Sequence, residues 1–137
     1  MTDQPATTRT DGCLCGAVRY TITAEPMASA ICHCRMCQKA TGAPFYARAI
    51  FPRESVVIEG ETHAFRSSEA IERRFCPTCG AQVFASRLTS PERLAVTIAT
   101  LDDPASAPPT LQFWTSGRIG WVADLASVPG HEAWPPA

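Results

Sequence analysis

The sequence contains no apolar run that approaches the roughly 20 residues of a membrane-spanning helix. Its first twelve residues, MTDQPATTRTDG, are polar and lack the apolar stretch of a secretory signal. Basic residues are scarce too, because the 12 arginines and lysines, with Lys39 as the single lysine, face 13 acidic residues. We therefore expect a cytoplasmic protein without a membrane partner, and no nucleic-acid partner because a basic footprint is missing.

Hydrophobic residues, in contrast, make up 45% of the 137-residue chain. This length and composition suit one folded domain with its own core. We expect a flexible leader over residues 1–11, a folded domain over residues 12–125 and a proline-rich tail over residues 126–137. The stretch from Asp102 onward carries all three tryptophans and is expected to be an extended, docked segment.

Short strands are predicted through most of the chain. "GAVRYTITAE" alternates apolar and polar residues, and "ERLAVTIATL" is rich in β-branched residues, as strands are. One helical turn is expected around residues 35–40. The fold class is therefore all-β, and the predicted strands cover residues 16–25, 44–52, 55–60, 62–68, 70–76, 81–87 and 92–101.

The seven cysteines are grouped too tightly for scattered core thiols. Their odd number prevents complete pairing within one chain, and cytoplasmic thiols stay reduced. A bridge within Cys-x-Cys would also be strained. Metal binding is the better interpretation, and the clusters are two pairs, Cys13/Cys15 and Cys76/Cys79, and one triplet, Cys32/Cys34/Cys37.

Four and three is the division of sulfurs that we favour. The two pairs together supply the four ligands of a closed structural zinc, and Gly80 lets the chain turn beneath the second pair. The triplet has no fourth cysteine, and three protein ligands with an open position are typical of a catalytic zinc. Three alternatives stay open: His33 as a fourth ligand, another division of the sulfurs, and a redox Cys-x-x-Cys motif.

Basic and aromatic residues near the clusters in sequence complete the candidate site. The basic side chains could offset thiolate charge or bind a substrate carboxylate. The aromatic side chains could form an apolar wall. The basic candidates are Arg35, Lys39, Arg73 and Arg74, and the aromatic ones are Phe45, Tyr46 and Trp114.

Three segments carry a family resemblance. "GCLCGAVRY", "CHCRMCQKATGAPF" and "RRFCPTCGAQVF" resemble the glutathione-dependent formaldehyde-activating enzyme family, which also includes centromere protein V. The likeness runs from about Gly12 to Leu101, with a looser echo in "FWTSGRIGW". It implies a β-tent of small antiparallel sheets stapled by zinc. It also implies a structural zinc on Cys13, Cys15, Cys76 and Cys79 and a catalytic zinc on Cys32, Cys34 and Cys37.

The activity implied by the resemblance joins formaldehyde to glutathione as S-hydroxymethylglutathione, a carbon–sulfur lyase reaction run in reverse. We therefore expect a zinc-dependent carbon–sulfur lyase-like enzyme whose partner is a small thiol or a thiol–aldehyde adduct. Zinc is preferred over iron from the resemblance and the soft sulfur ligands. The rivals are a non-catalytic zinc module that binds protein or nucleic acid, favoured by the tryptophan-rich tail, and a thiol sensor that binds metal transiently.

Overall fold

The computed structural model describes residues 9–136 of the chain, in which ten β-strands and one α-helix form. The strands are β1 (Arg9–Gly12), β2 (Arg19–Ile22), β3 (Ala28–Cys32), β4 (Tyr46–Pro52), β5 (Val56–Glu59), β6 (His63–Arg66), β7 (Ile71–Phe75), β8 (Gln82–Arg87), β9 (Arg93–Thr97) and β10 (Leu111–Phe113). The helix is α1 (Arg35–Thr41), and 3-10 turns cover Arg53–Ser55, Ile98–Thr100, Pro104–Ser106, Thr115–Gly117 and Gly120–Ser127.

The strands form two sheets. One has the order β1-β2-β5 and the other the order β10-β3-β4-β9-β8-β7-β6. Every described strand pair is antiparallel except β10 with β3, which is parallel. The all-β class is thus confirmed, and no described helix is long and apolar enough to cross a bilayer.

The main core lies between the two sheets, because alternate residues of their strands face it. Tyr20 of the small sheet and Phe84 of the large one are fully buried and meet edge to face at 5.1 Å between ring centroids. Burying one such side chain contributes about 1.5–3 kcal/mol. Other residues of the same strands point to the opposite face of the large sheet. Tyr46, Ala85 and Ala95 are among them, and they form a second buried cluster with cysteines of the triplet. The triplet therefore packs on the opposite face of the large sheet from the main core.

The flexible leader is a wrong prediction for residues 9–11, which are part of β1; residues 1–8 lie outside the described residues. β1 pairs with β2, and the carboxylate of Asp11 accepts a 2.7 Å hydrogen bond from the amide of Asp102. Polar residues in a strand give no alternating pattern. Pairing with β2 and the contacts of Asp11 with Leu101 and Asp102, which are distant in sequence, decide the conformation.

Two strands also differ from the prediction. The strand expected over residues 92–101 ends at Thr97, where the hydroxyl of Thr100 binds the carbonyl of Thr97 at 2.7 Å and closes a 3-10 turn. Conversely, β3 (Ala28–Cys32) lies in a region where no strand was predicted. Its small residues have low strand propensity, and pairing with β4 on one side and β10 on the other decides their conformation.

Candidate metal centres

The four-cysteine cluster joins two turns that are far apart in sequence. Cys13 and Cys15 lie between β1 and β2, and Cys76 and Cys79 lie between β7 and β8. The sulfur of Cys15 is 3.7 Å from that of Cys13 and 3.7 Å from that of Cys76. All four sulfurs lie within 4.8 Å of one another. The small sheet and the far end of the large sheet therefore meet at this cluster.

These spacings fit a tetrahedral zinc. Sulfurs at about 2.3 Å from a central ion are about 3.8 Å from one another, close to the observed 3.7 Å separations. Backbone amides support the sulfurs: Val18 N–H donates to Cys13 at 3.3 Å, and Thr78 N–H donates to Cys76 at 3.4 Å. Gly80, at φ +79°, turns the chain beneath the second pair.

The pKa values within this cluster move in opposite directions. The backbone hydrogen bond from Ala81 is the main cause that lowers the pKa of Cys79 to about 6. A backbone hydrogen bond from Ala17 favours the thiolate of Cys15, but desolvation and the neighbouring sulfurs outweigh it and raise its pKa to about 11. Adjacent sulfurs cannot all ionise without a cation between them. A metal ion would displace the remaining protons.

The triplet lies where β3 ends and α1 begins. Cys32 is the last residue of β3, Cys34 caps the N-terminus of α1, and Cys37 lies in its first turn. The sulfur of Cys34 accepts a 3.3 Å hydrogen bond from the amide of Cys37. Residues three apart share a helix face, so Cys34 and Cys37 turn to the same side. The three sulfurs lie within 4.8 Å of one another.

His33 does not belong to this group of sulfurs. Its side chain is 1% exposed, and its Nε2 forms a 2.7 Å hydrogen bond with the Gln112 amide oxygen on β10. The ring also packs edge to face with Phe45, 5.8 Å away between centroids. Among the described residues, no His, Cys, Asp or Glu joins the triplet as a fourth ligand candidate. The sulfurs are thus grouped four and three, the division that the sequence favoured.

Arg73 is the one basic candidate that reaches the triplet. Its side chain on β7 is 4% exposed, and its Nη2 donates to the sulfur of Cys37 at 3.4 Å. Its Nε donates to the hydroxyl of Ser67 at 2.9 Å, and its guanidinium lies 5.9 Å from the ring centre of Tyr46. Burial raises the pKa of Cys37 to about 12 although Arg73 favours the thiolate.

The other basic candidates have other partners or face solvent. Arg35 is exposed and donates to the amide oxygen of Gln38, and Lys39 is exposed on the same helix. Arg74 points away from the triplet and pairs with Glu72 at 3.1 Å. Of the aromatic candidates, Tyr46 packs on the triplet and Phe45 on His33, whereas Trp114 is 68% exposed and forms no wall.

The sequence analysis missed the residues that connect the triplet to the tail. The buried amide of Gln38 donates to the carbonyl of His33 at 2.8 Å and to that of Gly117 at 3.1 Å. A Cβ at Gly117 would lie 2.8 Å from the His33 carbonyl oxygen, so only glycine allows this close approach. The stretch "FWTSG", which belongs to the looser part of the family resemblance, is the sequence feature that could have indicated this contact.

The all-β fold and the two groups of clustered thiols define a class of β-proteins with candidate metal centres. Similarity to known proteins agrees with this class. Residues 8–117 match the family described as glutathione-dependent formaldehyde-activating enzyme. The chain belongs to this family.

Two individual proteins extend this result. An uncharacterized lyase of Schizosaccharomyces pombe is 31% identical over 72 residues, which are 53% of this chain and 53% of that protein. The chain therefore matches only about half the length of this curated relative. A crystal structure of a Rhodobacter sphaeroides protein superposes with a TM-score of 0.60 at 21% identity, over 75% of this chain and 98% of that one. At this identity it shows a shared fold.

Proposed function

We propose that this protein is a zinc-dependent carbon–sulfur lyase-like enzyme acting on thiol–aldehyde adducts such as S-hydroxymethylglutathione. The observation that carries the proposal is the triplet, with three converging sulfurs and no fourth ligand candidate among the described residues. Membership of the family and the lyase name of the yeast relative support it. Seven free thiols suit a reducing compartment, so we place the enzyme in the cytoplasm.

The two clusters would have different roles. Cys13, Cys15, Cys76 and Cys79 would hold a structural zinc, because four sulfurs at tetrahedral spacing leave no room for substrate. Cys32, Cys34 and Cys37 would hold a catalytic zinc with one exchangeable position. When bound there, zinc supplies a site at which a substrate thiol ionises near neutral pH.

The surrounding residues would control charge and water at the triplet. Three thiolates and a divalent cation sum to one negative charge, and Arg73 supplies the compensating positive charge next to Cys37. Tyr46, which is 3% exposed, covers the triplet on the sheet side. In this setting a substrate thiolate attacks the aldehyde carbon, a carbon–sulfur bond forms, and the oxygen takes up a proton from solvent. The lyase direction reverses these steps.

The peptide part of glutathione would occupy an open cleft beside α1. The cleft has a volume of about 360 Å³ and is lined by Arg35 and Lys39 of the helix and by Ile119 and Trp121 of the tail. Two cations suit carboxylates, and the indole and Ile119 suit the aliphatic parts of the ligand. The cleft shares Gln38 with the backbone contacts of the triplet.

The test is adduct formation by the zinc-loaded protein. Formaldehyde and a panel of thiols that includes glutathione are mixed with enzyme, and the S-hydroxymethyl signal is followed by NMR. We expect a rate above background for the native chain and for Met36→Ala, an exposed residue of the same helix. Cys34→Ala should reduce the rate to background. A native rate equal to that of Cys34→Ala across the panel would refute the enzyme.

The exposed tail favours a second candidate, a zinc module that binds a partner protein. Trp114, Trp121 and Trp134 are 68%, 54% and 93% exposed, an unusual amount of indole surface in one segment. Metal counting separates the two functions. Two zinc ions per chain favour the enzyme, whereas one ion with a freely titratable triplet favours the binding module or a thiol sensor.

A further inference from the structure

Arg73 carries a hydrogen-bond donor that the protein does not use. Its Nε and Nη2 are bound to Ser67 and Cys37, but its Nη1 is buried and has no partner among the described residues. A buried donor left unsatisfied costs about 1–3 kcal/mol. Nη1 and Nη2 belong to one planar group, so the unused donor lies next to the nitrogen that contacts the Cys37 sulfur.

The positive charge of Arg73 is also without a carboxylate partner in the part of the chain that the structure describes. The ion pairs among the described residues include Arg19 with Asp102 and Arg74 with Glu72, but none contains Arg73. Buried arginines are normally paired, because an isolated buried charge is costly. Within residues 9–136 Arg73 instead donates to the sulfur of Cys37, which becomes an anion when it binds metal, and Nη1 is left for a second acceptor.

We propose that Arg73 is a catalytic residue that binds the aldehyde oxygen of the substrate at the triplet. The inference rests on the proposed function and assigns this residue a step in it. The thiolate lone pair forms the carbon–sulfur bond, and the carbonyl π pair moves onto the oxygen. The resulting alkoxide accepts the hydrogen bond of Nη1 until a proton from water completes the hydroxymethyl group. In the reverse direction Nη1 stabilises the same alkoxide before the carbon–sulfur bond breaks.

Two unreactive probes test oxygen binding without turnover. Thioacetate carries oxygen and sulfur on one carbon, as the adduct does, and 2-propanethiol replaces that oxygen by a methyl group of similar size. The affinities of both for the zinc-loaded protein are measured by calorimetry, and their ratio is compared between variants. Differences in acidity between the probes cancel in this comparison. Arg73→Lys keeps the charge but loses the planar set of N–H donors. Arg73→Met removes both, and Arg74→Met is the neighbouring control.

We expect the preference for thioacetate to fall by about tenfold to a hundredfold in both Arg73 variants, the usual effect of losing a hydrogen bond to a charged group. Arg74→Met should leave it unchanged, since that side chain contacts Thr62 and Glu72. The kcat for adduct formation should fall by about a hundredfold in Arg73→Met, as for the loss of an oxyanion donor.

Zinc content, measured for each variant, makes every result decisive. An unchanged preference in a zinc-retaining Arg73 variant overturns the inference. If Arg73→Met loses metal, Arg73→Lys decides, and loss of metal in both means that Arg73 is a structural counter-ion and the inference is wrong. An Arg73-dependent preference without adduct formation by the native chain would refute the lyase but not oxygen binding. Adduct formation with a preference independent of Arg73 would refute only the inference.

Discussion

Replacing one cysteine in each cluster by alanine separates a stabilising metal site from a reactive one. Cys76 is fully buried in the four-cysteine cluster, and Cys32 is 7% exposed in the triplet. The two substitutions remove the same atom at similar burial, so the packing loss is similar. They differ in the length of chain that the metal closes.

The expected difference follows from loop entropy. The contact between Cys15 and Cys76 closes a loop of 61 residues, for which a cross-link is worth about 4 kcal/mol. The triplet closes only the short segment from Cys32 to Cys37, worth about 2 kcal/mol. A domain of this size loses about 3–4 °C in Tm per kcal/mol. We therefore expect Tm to fall by roughly 12–16 °C for Cys76→Ala and roughly 6–8 °C for Cys32→Ala.

Thermal unfolding is followed by circular dichroism, and bound zinc is counted by mass spectrometry. Each variant should lose one ion, and a chelator should bring the native chain down to the less stable of the two or below it. A Tm for Cys32→Ala that falls as far as that for Cys76→Ala, or further, would refute the assignment of the four-cysteine cluster as the structural site.

Three further expectations concern the tail, the core and the metal-free triplet. Gly117→Ala should lower the unfolding free energy by about 1–3 kcal/mol, because its Cβ would lie 2.8 Å from the carbonyl oxygen of His33. Gly120 has open space around it, so Gly120→Ala should cost almost nothing. Equal Tm values for the two variants would contradict this packing. Burial raises the pKa of Tyr20, so the folded state keeps a proton that the unfolded chain loses above about pH 10. The contribution of Tyr20 to stability should thus be constant below that pH and be lost above it, and denaturant unfolding of Tyr20→Phe should show a smaller fall in stability above about pH 10. Because the pKa of Cys37 is raised to about 12, zinc binding should release protons and weaken as pH falls, which calorimetry in buffers of different ionisation enthalpy measures; a pH-independent affinity would count against thiolate ligation.

Local chemistry could be read from the cysteine spacings. Zinc prefers a small number of soft ligands that lie close together. The two pairs and the triplet can be recognised from short spacings alone, without knowledge of contacts between distant segments. The structure brings together the same two groups of sulfurs. Alternation also predicted β2, in which Tyr20 and Ile22 are buried and Arg19 and Thr21 are partly exposed.

Neighbouring residues with the same chemistry could not be told apart. Arg73 and Arg74 are both arginines beside a cysteine pair, yet one contacts Cys37 and the other faces solvent with Glu72. Side chains of adjacent strand residues point to opposite faces, and a shift of one residue in register exchanges them. The irregularity of β7 and β8 pairing at Arg74 and Phe75 lies at that point, and no local pattern reveals it.

What the sequence by itself determined is therefore the two groups of candidate metal ligands, the all-β class and the family, since each depends on residue types at short spacing. Only the tertiary structure decided that His33 turns toward Gln112, that β10 pairs in parallel with β3, and that Arg73 lies beside the triplet with a spare donor. The physical reason is that these three features depend on contacts between segments more than 30 residues apart in the chain. The choice between the two faces of a strand costs little locally, and burial against distant partners decides it.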